Sequence, residues 1–566
     1  MAGTKPRRLL KALVLGAVMA ASQTLAVPGA AAMVMRPYLQ AVTTESVYVL
    51  VESDTTQPVT VEYGTTAAYG SKAVTESIEP TDTVPATYVH NIKLTGLQPN
   101  TEYNYRAIQG EVASPNHTFL TAVESGTGFR FAWMADTRTQ PAIHDGIAGL
   151  IKEKRPRFSL YGGDLCERAY YEYWKRDFFV PNQMALAAGV PFFNAPGNHE
   201  GWTINTKAFT QAPASASGTQ DYYSFDYGDA HFLCLNTEIP YEPNSPQWKF
   251  ATQDLLNTKK TWKVVFFHKP AYSLGGNGET AGMKLMTTYI FEPCKVDVIL
   301  TGHNHFYQHG LVNGIHHFTI GSAGAPLASP GKGSYVVNAA FDYNFAIADV
   351  TPTVLDLTVY SGKGTVLDKL TLTKTEPPPA VDPAALPTPP PPLPPILKPL
   401  LLKNGTWKYY AAGQAPDPAW KELSFKDQTW ASGSGPLGFG ESYIKTKLPA
   451  GQKTYYFRKA FSFSGDHHTR FNKLTLSVNY DDGFILYADG QELLRRGLPP
   501  GPVTHDTPAV SHEGGKYEVI DLYEALSVIQ NMSQGLHVFA VEVHQSDAKD
   551  DDLVWDAEII SERPEV

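Results

Sequence analysis

Residues 129–138 read FRFAWMADTR, Phe129 to Arg138, an apolar run that stops on an acid. Such a run suits a buried strand, and Asp136 then falls at its carboxyl end, where open α/β sheets gather their ligands. The pattern returns three times along the chain: Phe158 to Tyr161 runs into Gly162, Gly163 and Asp164, Val264 to Phe267 runs into His268, and Val296 to Leu300 runs into Gly302 and His303, with His305 two residues on. A fifth segment, GNHE, supplies Asn198, His199 and Glu200. Glycines beside Asp164, Asn198 and His303 let the backbone turn tightly there.

Carboxylates, imidazoles and an amide oxygen in this mixture suit two metal ions held close together. Two cations repel unless an anionic oxygen bridges them, and Asp164 is the natural bridge. Asp136 and His305 then complete one site, and Asn198, His268 and His303 the other. Iron, zinc and manganese all accept these ligands. Such a pair lowers the pKa of a bound water, clamps phosphoryl oxygens and steadies a leaving alkoxide, with no nucleophilic Ser or Cys.

The order of these motifs resembles the calcineurin-like metallophosphoesterases, and within them the purple acid phosphatase branch. PYLQ at Pro37 to Gln40, YYSFDYGDAHFLCLN at Tyr222 to Asn236, HKPAYS at His268 to Ser273 and GHNHFYQH at Gly302 to His309 carry the resemblance to that branch. It covers roughly residues 34 to 375. It implies a multidomain chain: an α/β four-layer catalytic domain, a double mixed β-sheet sandwich flanked by helices, behind a fibronectin-III-like β-sandwich. It also implies that His199 hydrogen-bonds the phosphate or protonates the leaving group, a task suited to an imidazole. Glu200 and Arg138 are further candidates for substrate contact, and Trp202, Tyr272 and His309 equally for walls of the pocket or for packing.

Two positions depart from the family pattern. Purple enzymes carry GDxxY at the second motif, the Tyr binding ferric iron, whereas Asp164 is followed by Leu165, Cys166 and Glu167, so the colour is expected to be absent. The wider superfamily reads DxH at the first motif, and here Asp136 is followed by Thr137 and Arg138. The first metal is left one ligand short. Either Glu167 enters as a carboxylate ligand, or that metal is weakly held and Arg138 turns its guanidinium to the phosphate, or one metal binds and activity is crippled, or Glu167 and Arg138 simply pair with each other or face water.

Other histidines read as structural. His231, His316 and His317 lie in apolar strands, and His144 falls in the first turn of a helix expected over Pro141 to Lys154, on its surface, with Ile143, Ile147, Leu150 and Ile151 facing inward.

Composition divides the rest of the chain. In residues 1–32, Lys5, Arg7, Arg8 and Lys11 precede an apolar run from Ala12 to Ala21 and small residues at Ala30 to Ala32, the pattern of a cleavable export signal. The run is too short for a membrane span, and Arg7 and Arg8 hint at the twin-arginine route. Residues 33–122 alternate like a β-sandwich, 123–375 hold the catalytic motifs, and 376–401 are a Pro-rich spacer favouring polyproline II. Residues 402–566 are rich in short strand-like runs. WKELSFKDQTWASGSGPLGFG and NYDDGFILYADGQEL look like galactose-binding-like β-sandwiches, which suggests a carbohydrate or cell-surface ligand or simple packing on the catalytic domain. Trp407, Trp420, Trp430 and Trp555 are candidates for sugar stacking or core, and Asp550 to Asp552 for a calcium site or a solvated loop.

The 566 residues carry 46 Lys and Arg against 56 Asp and Glu, a formal net charge of -10, and no basic run interleaves with aromatics. A nucleic-acid-binding surface is therefore not expected. Three cysteines make no disulfide framework; they are buried thiols, or one bridge plus one free thiol. The expectation is a secreted or periplasmic phosphatase that hydrolyses phosphate monoesters by attack of metal-activated water at a dinuclear centre. A phosphodiesterase with the same centre is the near alternative. A non-catalytic surface or carbohydrate-binding protein on a decayed scaffold is the alternative of another class.

Overall fold

The apolar runs that end on ligands form the middles of two mixed sheets. A computed structural model describes residues 33–201, 203–376, 378–389, 391, 396–463, 471, 473–530, 532, 535–547 and 550–563. The export signal and Trp202 lie outside them. In the first sheet Phe129–Met134 lies between Asn344–Val350, antiparallel, and Phe158–Tyr161, parallel, with Phe192–Asn194 beyond. In the second, Ala230–Cys234, Trp262–Phe267, Val298–Thr301 and Ile315–Ile320 run parallel, and Tyr307–Val312 closes antiparallel on the last.

Aromatic rings weld the two sheets face to face. Phe129, Phe131, Phe158 and Phe193 from the first meet Phe225, Tyr227 and Phe232 from the second; Phe131 and Phe158 pack edge-on to Phe232 at 5.3 and 5.4 Å, and Phe193 stacks on Phe225 at 3.9 Å. Helix Pro141–Lys154 covers the outer face of the first sheet, and Pro246–Asn257 and Ala281–Met286 that of the second. The layers are helices, sheet, sheet, helices. Pro141 opens the first helix, where its missing N–H costs nothing, and Arg155 ends it in the left-handed region.

That helix buries a different face from the expected one. His144, Ile147, Ala148 and Ile151 point inward, and Ile143 and Leu150 are only half-buried. His144 is not a surface residue: it stacks on Phe178 and donates from Nδ1 to the Asp177 carbonyl at 2.8 Å, with Nε2 3.3 Å from Gln183 Oε1.

The segment 33–122 is not a separate bead. Met33–Gln40, Ser46–Ser53, Tyr88–Thr95 and Ser77–Pro80 extend the first sheet to ten strands, joined where Gln40 pairs with Phe192. Tyr38 Oη and Gln40 Nε2, both from PYLQ, donate to the Phe209 carbonyl at 3.0 and 2.7 Å, and Tyr105 Oη donates to the Ala188 carbonyl at 2.8 Å. Thr60–Gly64, Glu102–Gln109 and their neighbours form a second sheet over this extension.

Residues 396–563 form two six-stranded sheets sharing one apolar core around Trp407, Phe457, Phe484 and Trp555. Trp420 and Trp430 are buried in a neighbouring cluster with Tyr456 and Tyr487. All four tryptophans expected as possible sugar platforms are therefore packing residues. Two contacts tie this part to the catalytic loops: Tyr170 Oη donates to Gln491 Oε1, and Tyr523 Oη to Asp221 Oδ1 at 3.0 Å. Cys166, Cys234 and Cys294 are all free and buried, so no bridge forms among them. No helix among the described residues is long and apolar enough to cross a membrane.

His231 is buried between two carboxylates, one of them exposed, rather than in plain packing. Its Nδ1 lies 2.8 Å from Asp226 Oδ1 and its Nε2 2.7 Å from Asp254 Oδ2, at a pocket of about 550 Å³ that Lys260 also lines. Burial alone would lower its pKa, but the two carboxylates outweigh burial and raise it to about 9. The folded-state value lies above the usual 6.5, so the stabilisation is complete below that and fades as pH rises through 9. A wild-type melting temperature that falls between pH 6.5 and 9.5, by the equivalent of about 2–3 kcal/mol, is expected. His231→Gln flattens that fall, measured by scanning calorimetry across the range.

Candidate metal centre

The loops that follow the ligand-bearing strands are pressed so closely together that side chains are excluded at their crossings. A Cβ on Gly197 would lie 2.1 Å from the Asp164 nitrogen, and one on Gly302 would lie 2.4 Å from Asp136 Oδ2. Asp136, Asp164 and His303 adopt left-handed backbone at φ 55°, 53° and 66°. Non-glycine residues pay about 1–3 kcal/mol for such strain, which persists only where the surroundings over-determine it.

Glu200 does much of that determining. Its carboxylate accepts from the backbone N–H of Asp164 at 3.1 Å, Leu165 at 3.1 Å and Gly197 at 2.8 Å. It is fully buried. Burial and the Asp164 charge push its pKa up to about 8. Expected as a substrate contact, Glu200 is instead the clasp beneath the site, because three N–H groups consume its oxygens.

Above it two oxygens and two ring nitrogens converge. His268 Nε2 is 3.2 Å from each of Asp164 Oδ1, Asn198 Oδ1 and His303 Nδ1. His268 donates from Nδ1 to the Gly162 carbonyl at 2.7 Å, which turns its Nε2 lone pair to the centre. Two oxygens and two imidazole nitrogens meeting at one point form a set that fits a metal cation when both nitrogens turn lone pairs inward. The charge distribution agrees. Burial would lower His268, yet the Asp164 carboxylate raises it to about 10, and burial would raise Asp164, yet His268, His199 and Arg138 hold it well below the carboxylate range.

A second group shares Asp164: Asp136, Asp164 and His305 offer atoms within 4.8 Å of one another. Asp136 Oδ2 accepts from the His303 N–H at 2.8 Å; Oδ1 is buried, lacks a hydrogen-bond partner and lies 3.4 Å from His305 Nε2. His305 donates from Nδ1 to the Pro326 carbonyl at 2.9 Å.

Arg138 reaches into this second group. Nε donates to Asp164 Oδ2 at 3.2 Å, Nη2 is 3.3 Å from His305 Nε2 and Nη1 donates to Glu167 Oε2 at 2.7 Å. Thr139 Oγ1 also donates to Glu167 Oε2. Glu167 is thus turned to Arg138 and Thr139 rather than into the group of Asp136, Asp164 and His305. Thr139 was not singled out from the sequence; its only signal is its place beside Arg138.

His199 is the partly exposed neighbour of this group. Its N–H donates to Asp164 Oδ1 at 3.0 Å, its Nδ1 to the Glu167 carbonyl at 2.7 Å, and its Nε2 faces Asp164 Oδ2 at 3.8 Å. Burial, the largest influence, lowers its pKa. Two of the three residues read as pocket wall or packing make packing contacts: His309 is buried between Asp368, at 3.0 Å, and His316, at 2.9 Å, and Tyr272 packs edge-on to His317 and Tyr335. Asn304, inside GHNH, was passed over and holds the loop by donating to Ser273 Oγ at 2.9 Å and the Gly278 carbonyl at 3.0 Å.

Two family models match parts of the chain: residues 129–307 match the calcineurin-like phosphoesterase family, and residues 38–121 match the purple acid phosphatase N-terminal domain. Purple acid phosphatase 21 of Arabidopsis thaliana is 28% identical over 242 residues, 39% of this chain and 53% of that protein. Purple acid phosphatase 23 of the same plant is 24% identical over 297 residues, 45% of this chain and 64% of that protein. The match thus spans between half and two thirds of those relatives. A purple acid phosphatase from yellow lupin (Lupinus luteus) seeds superposes with a TM-score of 0.52 at 19% identity, over 61% of this chain and 74% of that one, a likeness of fold.

Proposed function

We propose that the chain is an exported metal-dependent phosphatase that hydrolyses phosphate monoesters. The observation that carries this reading is the convergence of Asp164 Oδ1, Asn198 Oδ1, His268 Nε2 and His303 Nδ1 on one point, beside the partly exposed His199. Asp164, Asn198, His268 and His303 hold the metal, which when bound supplies a Lewis acid and lowers the pKa of water. Asp136 and His305 stand beside it. Glu200 fixes the Asp164 loop, and the Glu167 carbonyl fixes the His199 ring so that Nε2 is the atom presented to substrate. With Nδ1–H held by the Glu167 carbonyl, His199 gives the leaving alkoxide a proton from Nε2 as the imidazolium, a form that burial shifts to more acidic pH. The export reading rests on the charged and apolar pattern of residues 1–32.

The test is hydrolysis of p-nitrophenyl phosphate and bis-p-nitrophenyl phosphate before and after chelation. Monoester turnover that a chelator removes and Mn²⁺, Zn²⁺ or iron restores supports the reading; turnover of the diester alone replaces it with a phosphodiesterase, and turnover unaffected by chelation overturns it.

His199→Ala is expected to lower kcat by about 10²-fold while the chain keeps its metal, the lower end of what a positioned acid contributes. The loss should be greater for an alkyl phosphate such as β-glycerophosphate than for p-nitrophenyl phosphate, because an alkoxide needs the proton more than a nitrophenolate does. Equal losses on both would move His199 from proton donor to phosphate binder.

A further inference from the structure

The second group of ligands has lost two of its three residues to a side chain that cannot ligate. Arg138 has no lone pair to give and keeps its charge in any accessible pH. It stands at the third position of the first motif, where DxH would carry an imidazole. Its Nε takes Asp164 Oδ2 and its Nη2 meets His305 Nε2, so the atoms that would face a cation there face guanidinium N–H groups. Asp136 Oδ1, buried and 3.4 Å from His305 Nε2, is the one oxygen left to a second metal. Glu167, the carboxylate that could have made up the deficit, is held by Arg138 Nη1 at 2.7 Å and by Thr139. The Arg138 side chain is only 11% exposed, so it is packed into this place rather than lying across it from solvent.

We propose that the centre takes a single metal ion, at Asp164, Asn198, His268 and His303, and that the Arg138 guanidinium, seated by Glu167 and Thr139, occupies the place of the second cation. The inference rests on the metallophosphatase reading of the site and deepens it. Asp164 then bridges a metal and a guanidinium rather than two metals. The fixed charge is one unit rather than two or three, does not exchange and does not depend on metal supply. A planar fork of N–H donors also presents a phosphoryl group with two directed hydrogen bonds where a metal presents a point charge.

The experiment counts metal. The full chain is stripped with chelator, reloaded with Mn²⁺ and freed of excess, and Mn per chain is measured by mass spectrometry with electron paramagnetic resonance on the same samples. Wild type is expected to hold about one Mn²⁺ without exchange coupling, and Arg138→His, which restores DxH, and Arg138→Ala about two with coupling, the signature of a shared bridging ligand. Two Mn²⁺ per wild-type chain, or coupled spins in it, overturn the proposal. So does a folded variant that stays at one, since Arg138 then is not what fills the second place. Should neither variant fold, the wild-type count decides. Ester hydrolysis measured on the wild-type sample separates the two readings: two metals with turnover refute the guanidinium and leave the phosphatase, and one metal without turnover does the reverse.

Discussion

Asp164→Asn is expected to cut p-nitrophenyl phosphate turnover by about three orders of magnitude, roughly 4 kcal/mol of transition-state stabilisation, in a chain that still folds. Asp164 is the one residue common to both ligand groups, and it is buried. Asparagine keeps the shape and one oxygen, so it can still accept the His199 N–H. It loses the charge that His268, His199 and Arg138 are gathered around. If its amide nitrogen takes the Oδ2 position, a donor faces Arg138 Nε, which is also a donor, and the guanidinium is pushed from its seat. Metal content should fall along with turnover. A variant retaining more than a tenth of wild-type activity would place the hydrolysis elsewhere in the preparation.

Phe158→Ala is expected to destabilise the catalytic layers by about 3–5 kcal/mol, the range for deleting a buried phenyl ring. Phe158 is fully buried and its ring centroid lies 4.5 Å from Tyr227, 5.4 Å from Phe131 and Phe232, and 5.6 Å from Phe193. Rings from both sheets surround it, so neither sheet alone can collapse into the gap. Urea unfolding followed by tryptophan fluorescence reads the effect, with a lowered midpoint at unchanged slope for the transition of this domain. Phe225, only half-buried at the margin of the same cluster, gives the control: Phe225→Ala should cost less. Because Phe158 opens the strand that delivers Asp164, a folded Phe158→Ala should also bind metal more weakly.

The ligand-bearing elements were legible because their signals are local. Phe158 to Tyr161 and Pro141 to Lys154 form over the residues read from the sequence, since a strand buried on both faces is a continuous apolar run and a helix entered through proline has a marked start. Clustering of Asp136, Asp164, His268 and His303 followed from their places at four strand ends, whereas the strand Phe192–Asn194 that leads to Asn198 has no signal of its own in the sequence reading. What stayed hidden depends on partners distant in sequence. Nothing near His144 announces that Asp177 and Gln183 wait to receive its ring nitrogens, so polarity placed it outside and the helix was turned by part of a face. Glu200 follows a ligand and a catalytic candidate, and only its three N–H donors show that it looks down into the loops. Arg138 was marked as a departure, but its seat between Asp164, Glu167 and His305 is a matter of three loops from different parts of the chain.

The pairing of Gln40 with Phe192 makes the first 90 described residues something other than cargo. Phe192–Asn194 is three residues long and leads directly to Asn198; stripped of its neighbour Met33–Gln40 it would be an open strand edge in water, adjacent to the metal loops and free to recruit another chain. A recombination event that carried only the motif-bearing stretch into a new gene would deliver a protein prone to self-association before it delivered an enzyme. The heritable unit is therefore longer than the chemistry requires, and anyone borrowing this centre for a minimal catalyst must either carry the N-terminal strands along or redesign that edge with charge.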